Sequence, residues 1–134
     1  MSARIPDRRQ LAREWLNYAR ADLYLANRIV EDPEALPAFG GFHAQQAAEK
    51  AIKALLVLLG VEFPKTHDLV ALSSLLADDY RPSVRLDELA ELSSWSVEAR
   101  YPGEFAEVTR EEVRSALVIA KAVVDYASTL IEVQ

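Results

Sequence analysis

The groups in this 134-residue chain with the types and spacing for chemistry are two histidines, a helix bearing adjacent amides and paired charges, and an Arg-Tyr-Pro loop. His67 precedes Asp68, and the pair has two readings. As a helix start, Asp68 complements the positive end of the helix dipole and His67 is an ordinary first-turn residue. As a polar site, an imidazole titrating near neutrality hydrogen-bonds a phosphate or exchanges a proton once it faces a cleft. Arg100-Tyr101-Pro102 also reads two ways. Structurally, Pro102 stiffens a loop, Tyr101 packs on it and Arg100 satisfies carbonyls at a helix end. Functionally, a guanidinium beside an aromatic ring grips a phosphate and stacks on a base. In the segment from Phe42 to Leu56, Glu49 and Lys53 stand one turn apart in acid-before-base order beside the dipeptide Gln45-Gln46. Adjacent amides next to an ion pair are unusual decoration for a purely structural helix.

Other chemistries lack their residues. His43 and His67 belong to no His-Glu-x-x-His or paired Glu-x-x-His set, so no metal site is expected. Neither Gly-x-Gly-x-x-Gly nor a phosphate loop with Gly-Lys-Ser/Thr is present, and no cofactor is implied. Without cysteine there are no disulfides and no thiolate nucleophile, which fits a reducing cytoplasm, the expected location. The net charge of -6 excludes a broad phosphate-binding surface for duplex DNA. Arg4, Arg8, Arg9 and Arg13 read as a solvated face or as a hold on an acidic partner or RNA backbone. No apolar h-region opens the chain and no apolar run approaches the ~18 residues of a membrane span.

The elements that must position these groups are all helical. The spacing predicts a helix over about 7–30, with Leu11, Trp15, Tyr18, Leu23, Leu25, Ala26 and Ile29 as its apolar positions and Pro33 and Pro37 ending it. A second helix is expected over about 38–59, entered through the freedom of Gly40-Gly41 and closed by Gly60 and Pro64. Its alanine-rich face lets another helix come close. A third is expected from a Thr66 cap to about Ala77, and a fourth from Leu86 to about Ala99. The last has capping-box spacing at Thr109 and Glu112 and an apolar series to about Ile131. No stretch alternates with period two, so the chain reads as one all-α domain over 1–134, an up-and-down bundle of about five helices with the longest antiparallel.

These residues support a comparison. The chain resembles the small prokaryotic HEPN domain proteins through Trp15, Ala19, Asp22 and Leu23, then Phe42, Gln45, Gln46, Glu49, Lys50, Lys53 and Ala54, then Lys65-Thr66-His67-Asp68-Leu69, and finally Arg100-Tyr101-Pro102. The resemblance implies a homodimer with polar residues of its central helices around a cleft. It implies a minimal nucleotidyltransferase encoded nearby, and RNA-cleaving toxins in toxin-antitoxin or defence systems. The family's ribonuclease motif, an arginine followed by a histidine after four to six residues, is missing: Phe105, Ala106 and Glu107 fill the window after Arg100, and no histidine follows His67.

Three functions follow. One is a dimeric module that binds nucleotide or RNA without cutting it, through Gln45, Gln46, Glu49, Lys53, His67, Arg100 and Tyr101, and partners the nucleotidyltransferase. Another is a metal-independent ribonuclease with a rearranged site of Arg100, Tyr101, His67 and Asp68. The third is a scaffold homodimer with no nucleotide function. Dimerisation is expected from the alanine-rich face and the apolar helix surface.

Overall fold

The computed structural model describes residues 7–96 and 108–132. Its elements are α1 (Arg8–Glu31), α2 (Pro37–Leu58), α3 (Leu69–Ser74), a single 3-10 turn (Asp78–Tyr80), α4 (Leu86–Ser93) and α5 (Arg110–Glu132). The fold is all-α, and no strand occurs among the described residues.

Three long helices form the core. α1 and α2 are antiparallel, since Lys53 lies over the Trp15 ring, Lys50 bonds Asp22, and the Gly40 backbone meets Ala26 and Ile29. α5 is antiparallel to α1, with Arg110 donating to the Val30 carbonyl at one end and Arg9 to the Ile131 carbonyl at the other. It therefore runs parallel to α2: Gly40 faces Val113, and Leu58 and Leu59 share a hollow with Leu130. The longest helices are thus not all antiparallel neighbours. The short α3 and α4 cover the remaining side of α2.

The buried stripe of α1 is Ala12, Leu16, Ala19, Ala26 and Val30. The larger residues that marked this helix in the sequence flank the stripe instead, and Tyr18 and Leu25 are exposed. Small residues line the seam because they let the helix axes approach, which displaces bulk to the edges. On α2, Ala44, Ala47, Ala48, Ala51 and Ala54 are wholly buried inside the chain itself. The alanine face is therefore consumed by α1 and α5 and is not offered to a second copy.

Gly40 and Gly41 lie within α2 and do not turn the chain into it. A Cβ on Gly41 would stand 2.2 Å from the Trp95 ring, and one on Gly40 would stand 3.1 Å from Val113. The pair is a groove for packing. Pro37 occupies the first turn of α2, where its missing N–H costs nothing, and does not end α1, which stops at Glu31. Gly60 has φ +71°, and the bonds from its N–H to Val57 and from Val61 N–H to Leu56 close α2 as the left-handed cap expected there.

Two helices end early. α3 stops at Ser74, short of Ala77, because the Ser74 hydroxyl donates back to Ala71 and Arg81 takes the Ser74 and Leu76 carbonyls. α4 stops at Ser93, short of Ala99: the Ser94 hydroxyl bonds Glu91, and Ser93 Oγ accepts the Leu69 N–H. At the start of α5, Thr109 Oγ1 accepts from the Glu112 N–H as a capping box requires, while the Glu112 carboxylate takes the Thr109 hydroxyl.

Candidate functional site

Helix periodicity puts Gln45, Glu49 and Lys53 on one edge of α2, with Gln46 beside them. The Glu49 carboxylate is nearly buried and fully engaged. Its Oε1 accepts from Gln45 Nε2 at 3.0 Å and from His67 Nδ1 at 2.8 Å, and its Oε2 accepts from Lys53 Nζ at 2.9 Å. Burial alone pushes this carboxyl up, but the hydrogen bonds from Gln45, His67 and Lys53, with the Lys53 charge, outweigh it and hold the group below its ordinary value. The ionised carboxylate has no proton to give, so Nδ1 of His67 carries the hydrogen.

His67 arrives from the segment before α3. Asp68 is the N-cap of α3 and accepts from the Val70 and Ala71 N–H groups, while the Thr66 hydroxyl accepts from the Asp68 N–H. Thr66 therefore serves the turn before the cap and not the helix, and His67 lies outside the first turn of α3. Gln45 Nε2 also donates to the His67 carbonyl at 3.1 Å, so ring and backbone are both fixed to α2. Gln45 is wholly buried, and its amide oxygen accepts from Gln46 Nε2. Lys53 is sandwiched by aromatics, 5.8 Å from the Trp15 centroid and 5.6 Å from that of Phe63.

Two open hollows meet at Thr66 and His67. One, of about 520 Å³, is lined by Lys53, Lys65, Thr66 and His67. The other, of about 560 Å³, is lined by Thr66, His67, Asp68, Ala90 and the serines Ser93, Ser94 and Ser96. The charge balance favours anions in the first hollow, where two lysines face one buried carboxylate.

Of the residues singled out in the sequence, Gln45, Gln46, Glu49, Lys53 and His67 form one bonded cluster, with Asp68 at its rim. Arg100, Tyr101 and Pro102 lie outside the described residues, as does Arg4. Arg8 lies against Gly60, Arg9 donates to carbonyls at the end of α5, and neither Arg8, Arg9 nor Arg13 lines either hollow. The described residues contain no group of three or more His, Cys, Asp or Glu side chains placed to hold a metal ion. No described helix is long and apolar enough to cross a membrane.

A second cluster went unnoticed in the sequence. Asp22, on the α1 side of the α1–α2 seam, accepts from His43 Nδ1 at 2.9 Å and from Lys50 Nζ at 2.5 Å. Both histidines of the chain thus bond a nearly buried carboxylate that also holds a lysine. The signal was Asp22 itself, an acid between Ala19 and Ala26 on a buried stripe, which needs a partner to be there.

A model of the HEPN domain matches residues 12–130 of the sequence. The crystal structure of TT1696 from Thermus thermophilus superposes with a TM-score of 0.75 at 28% identity, covering 88% of this chain and 96% of that one. The structure of ST0689, an archaeal HEPN homologue, gives a TM-score of 0.69 at 23% identity, covering 90% and 98%, and speaks to the fold alone. No curated protein matches the sequence.

Proposed function

The chain belongs to the HEPN domain family, and on that premise we propose that it is a small dimeric module that binds nucleotide or RNA in the cleft around His67. The observation that carries this reading is the hollow framed by Lys53, Lys65, Thr66 and His67, where two lysines, a hydroxyl and an oriented imidazole line one open space. Such a site suits phosphate oxygens, which take hydrogen bonds from lysine and from a hydroxyl. In this reading the protein partners a minimal nucleotidyltransferase encoded nearby, in a toxin-antitoxin or defence system, and Arg100 and Tyr101 join the phosphate and base contacts. Isothermal titration of the purified protein with AMP and with a short single-stranded oligoribonucleotide tests it. Saturable binding weakened by Lys65→Ala and Arg100→Ala is expected, with a rise in Tm. No heat and no Tm shift with either compound removes the reading. A monomer mass by light scattering at micromolar concentration removes the dimer.

One observation favours a second reading, metal-independent RNA cleavage. A carboxylate holding Nδ1 of an imidazole is the arrangement that keeps a histidine ready for proton transfer. Chelator-resistant cleavage of mixed RNA that disappears in His67→Ala supports this reading, and cleavage equal to the mutant background ends it.

A further inference from the structure

Resting on the nucleotide-binding reading above, we infer that the site recognises the ribose phosphate of its ligand, with the phosphate in the lysine hollow and the sugar diol against Asp68 and Ser93. The two hollows share the Thr66–His67 wall and differ in chemistry. One offers lysine. The other offers hydroxyls and one carboxylate, with no lysine or arginine among its described lining residues. A ligand that spans both has a charged end and a hydroxyl-bearing end on adjoining atoms, which describes a sugar phosphate.

The polar atoms in the second hollow support this in detail. Asp68 spends Oδ1 on the Val70 and Ala71 N–H groups, while Oδ2 has no protein donor among the described residues. A carboxylate oxygen of this kind accepts from ribose hydroxyls, as the acidic residue of dinucleotide-binding folds does. Ser93 Oγ accepts the Leu69 N–H, so its own hydrogen is left to donate. Acceptor and donor therefore line the same hollow, a match for a vicinal diol whose hydroxyls both give and take hydrogen bonds.

Titration of the full chain with ribose 5-phosphate, 2-deoxyribose 5-phosphate, AMP and inorganic phosphate tests this assignment. Ribose 5-phosphate should bind saturably without a base, and the 2-deoxy compound about tenfold more weakly, the loss expected for one hydrogen bond to a charged acceptor. Asp68→Asn is the informative variant, because asparagine caps a helix as well as aspartate but replaces Oδ2 by a donor. It should weaken ribose 5-phosphate about tenfold while leaving inorganic phosphate unchanged. Equal binding of the two sugars, no effect of Asp68→Asn, or binding of AMP or the oligoribonucleotide without ribose 5-phosphate overturns the inference and leaves nucleotide binding standing. Binding of none of these compounds removes both.

Discussion

His67 Nδ1 lies 2.8 Å from Glu49 Oε1, joining a segment outside any helix to the middle of α2 across 18 positions of sequence. The same carboxylate holds Lys53, whose side chain is only 12% exposed, so Glu49 is the common partner of a lysine, an imidazole and an amide. Removing the carboxylate leaves the largely buried Lys53 without its counter-charge and the Gln45 amide without one of its acceptors. Glu49→Ala is therefore expected to destabilise the fold by about 3 kcal/mol, measured by urea unfolding. A loss below about 1 kcal/mol would show that Lys53 and Gln45 find new partners at little cost.

Because Glu49 titrates below its ordinary value of 4.5 in the fold, its contribution has a definite pH sign. The unfolded chain binds the proton first as pH falls, so the stabilisation is complete above the unfolded value and is lost as pH drops through the folded one. Tm should fall between about pH 5 and pH 3, and the slope should be shallower in Glu49→Gln. Superimposable profiles for the two proteins would contradict this.

Much of the fold was legible, because helix signals are local. Gly60, Pro64 and the Thr109–Glu112 spacing mark boundaries through bonds a few residues long, and Glu49 meets Lys53 by periodicity alone. What escaped depends on residues far apart. Nothing near Gly41 announces Trp95, so a packing groove read as a hinge. The early end of α3 is set by Arg81, which reaches back from beyond the 3-10 turn. The α2 half of the site was visible as four polar residues, whereas His67 joins them only through tertiary contact, and Asp22–His43–Lys50 requires two helices in register.

The Gly41 groove gives a sharp test. With 2.2 Å between a new Cβ and the Trp95 ring, Gly41→Ala must displace the indole, although alanine is the better helix former by about 1 kcal/mol. Overpacking outweighs propensity here, and a net loss of about 1–3 kcal/mol is expected together with a shifted tryptophan emission. Unchanged emission with raised stability would mean that Trp95 does not fill the groove.

At the α1–α2 seam, Asp22 is nearly buried but His43 and Lys50 are each about a quarter exposed, so solvent screens part of the interaction. Asp22→Ala should cost about 1–2 kcal/mol, less than Glu49→Ala. Double-mutant cycles against Lys50→Met and His43→Phe should return a coupling for each pair. Zero coupling in both would reduce the cluster to surface charges.

The two lysines of the cleft divide structure from binding. Lys53 directs its charge to Glu49 and to two aromatic rings, and replacing it disturbs the fold. Lys65 is exposed and has no ion-pair partner among the described residues, so its charge is available to an anion in the same hollow. Lys65→Ala should therefore change stability by no more than about 0.5 kcal/mol. If Lys65 contacts phosphate, its loss also removes one counterion release on binding a single-stranded oligoribonucleotide. The slope of log K against log salt should then become shallower by about 0.7. An unchanged slope with unchanged affinity would exclude Lys65 from the phosphate contact, because Lys53 cannot replace its charge while it remains paired with Glu49.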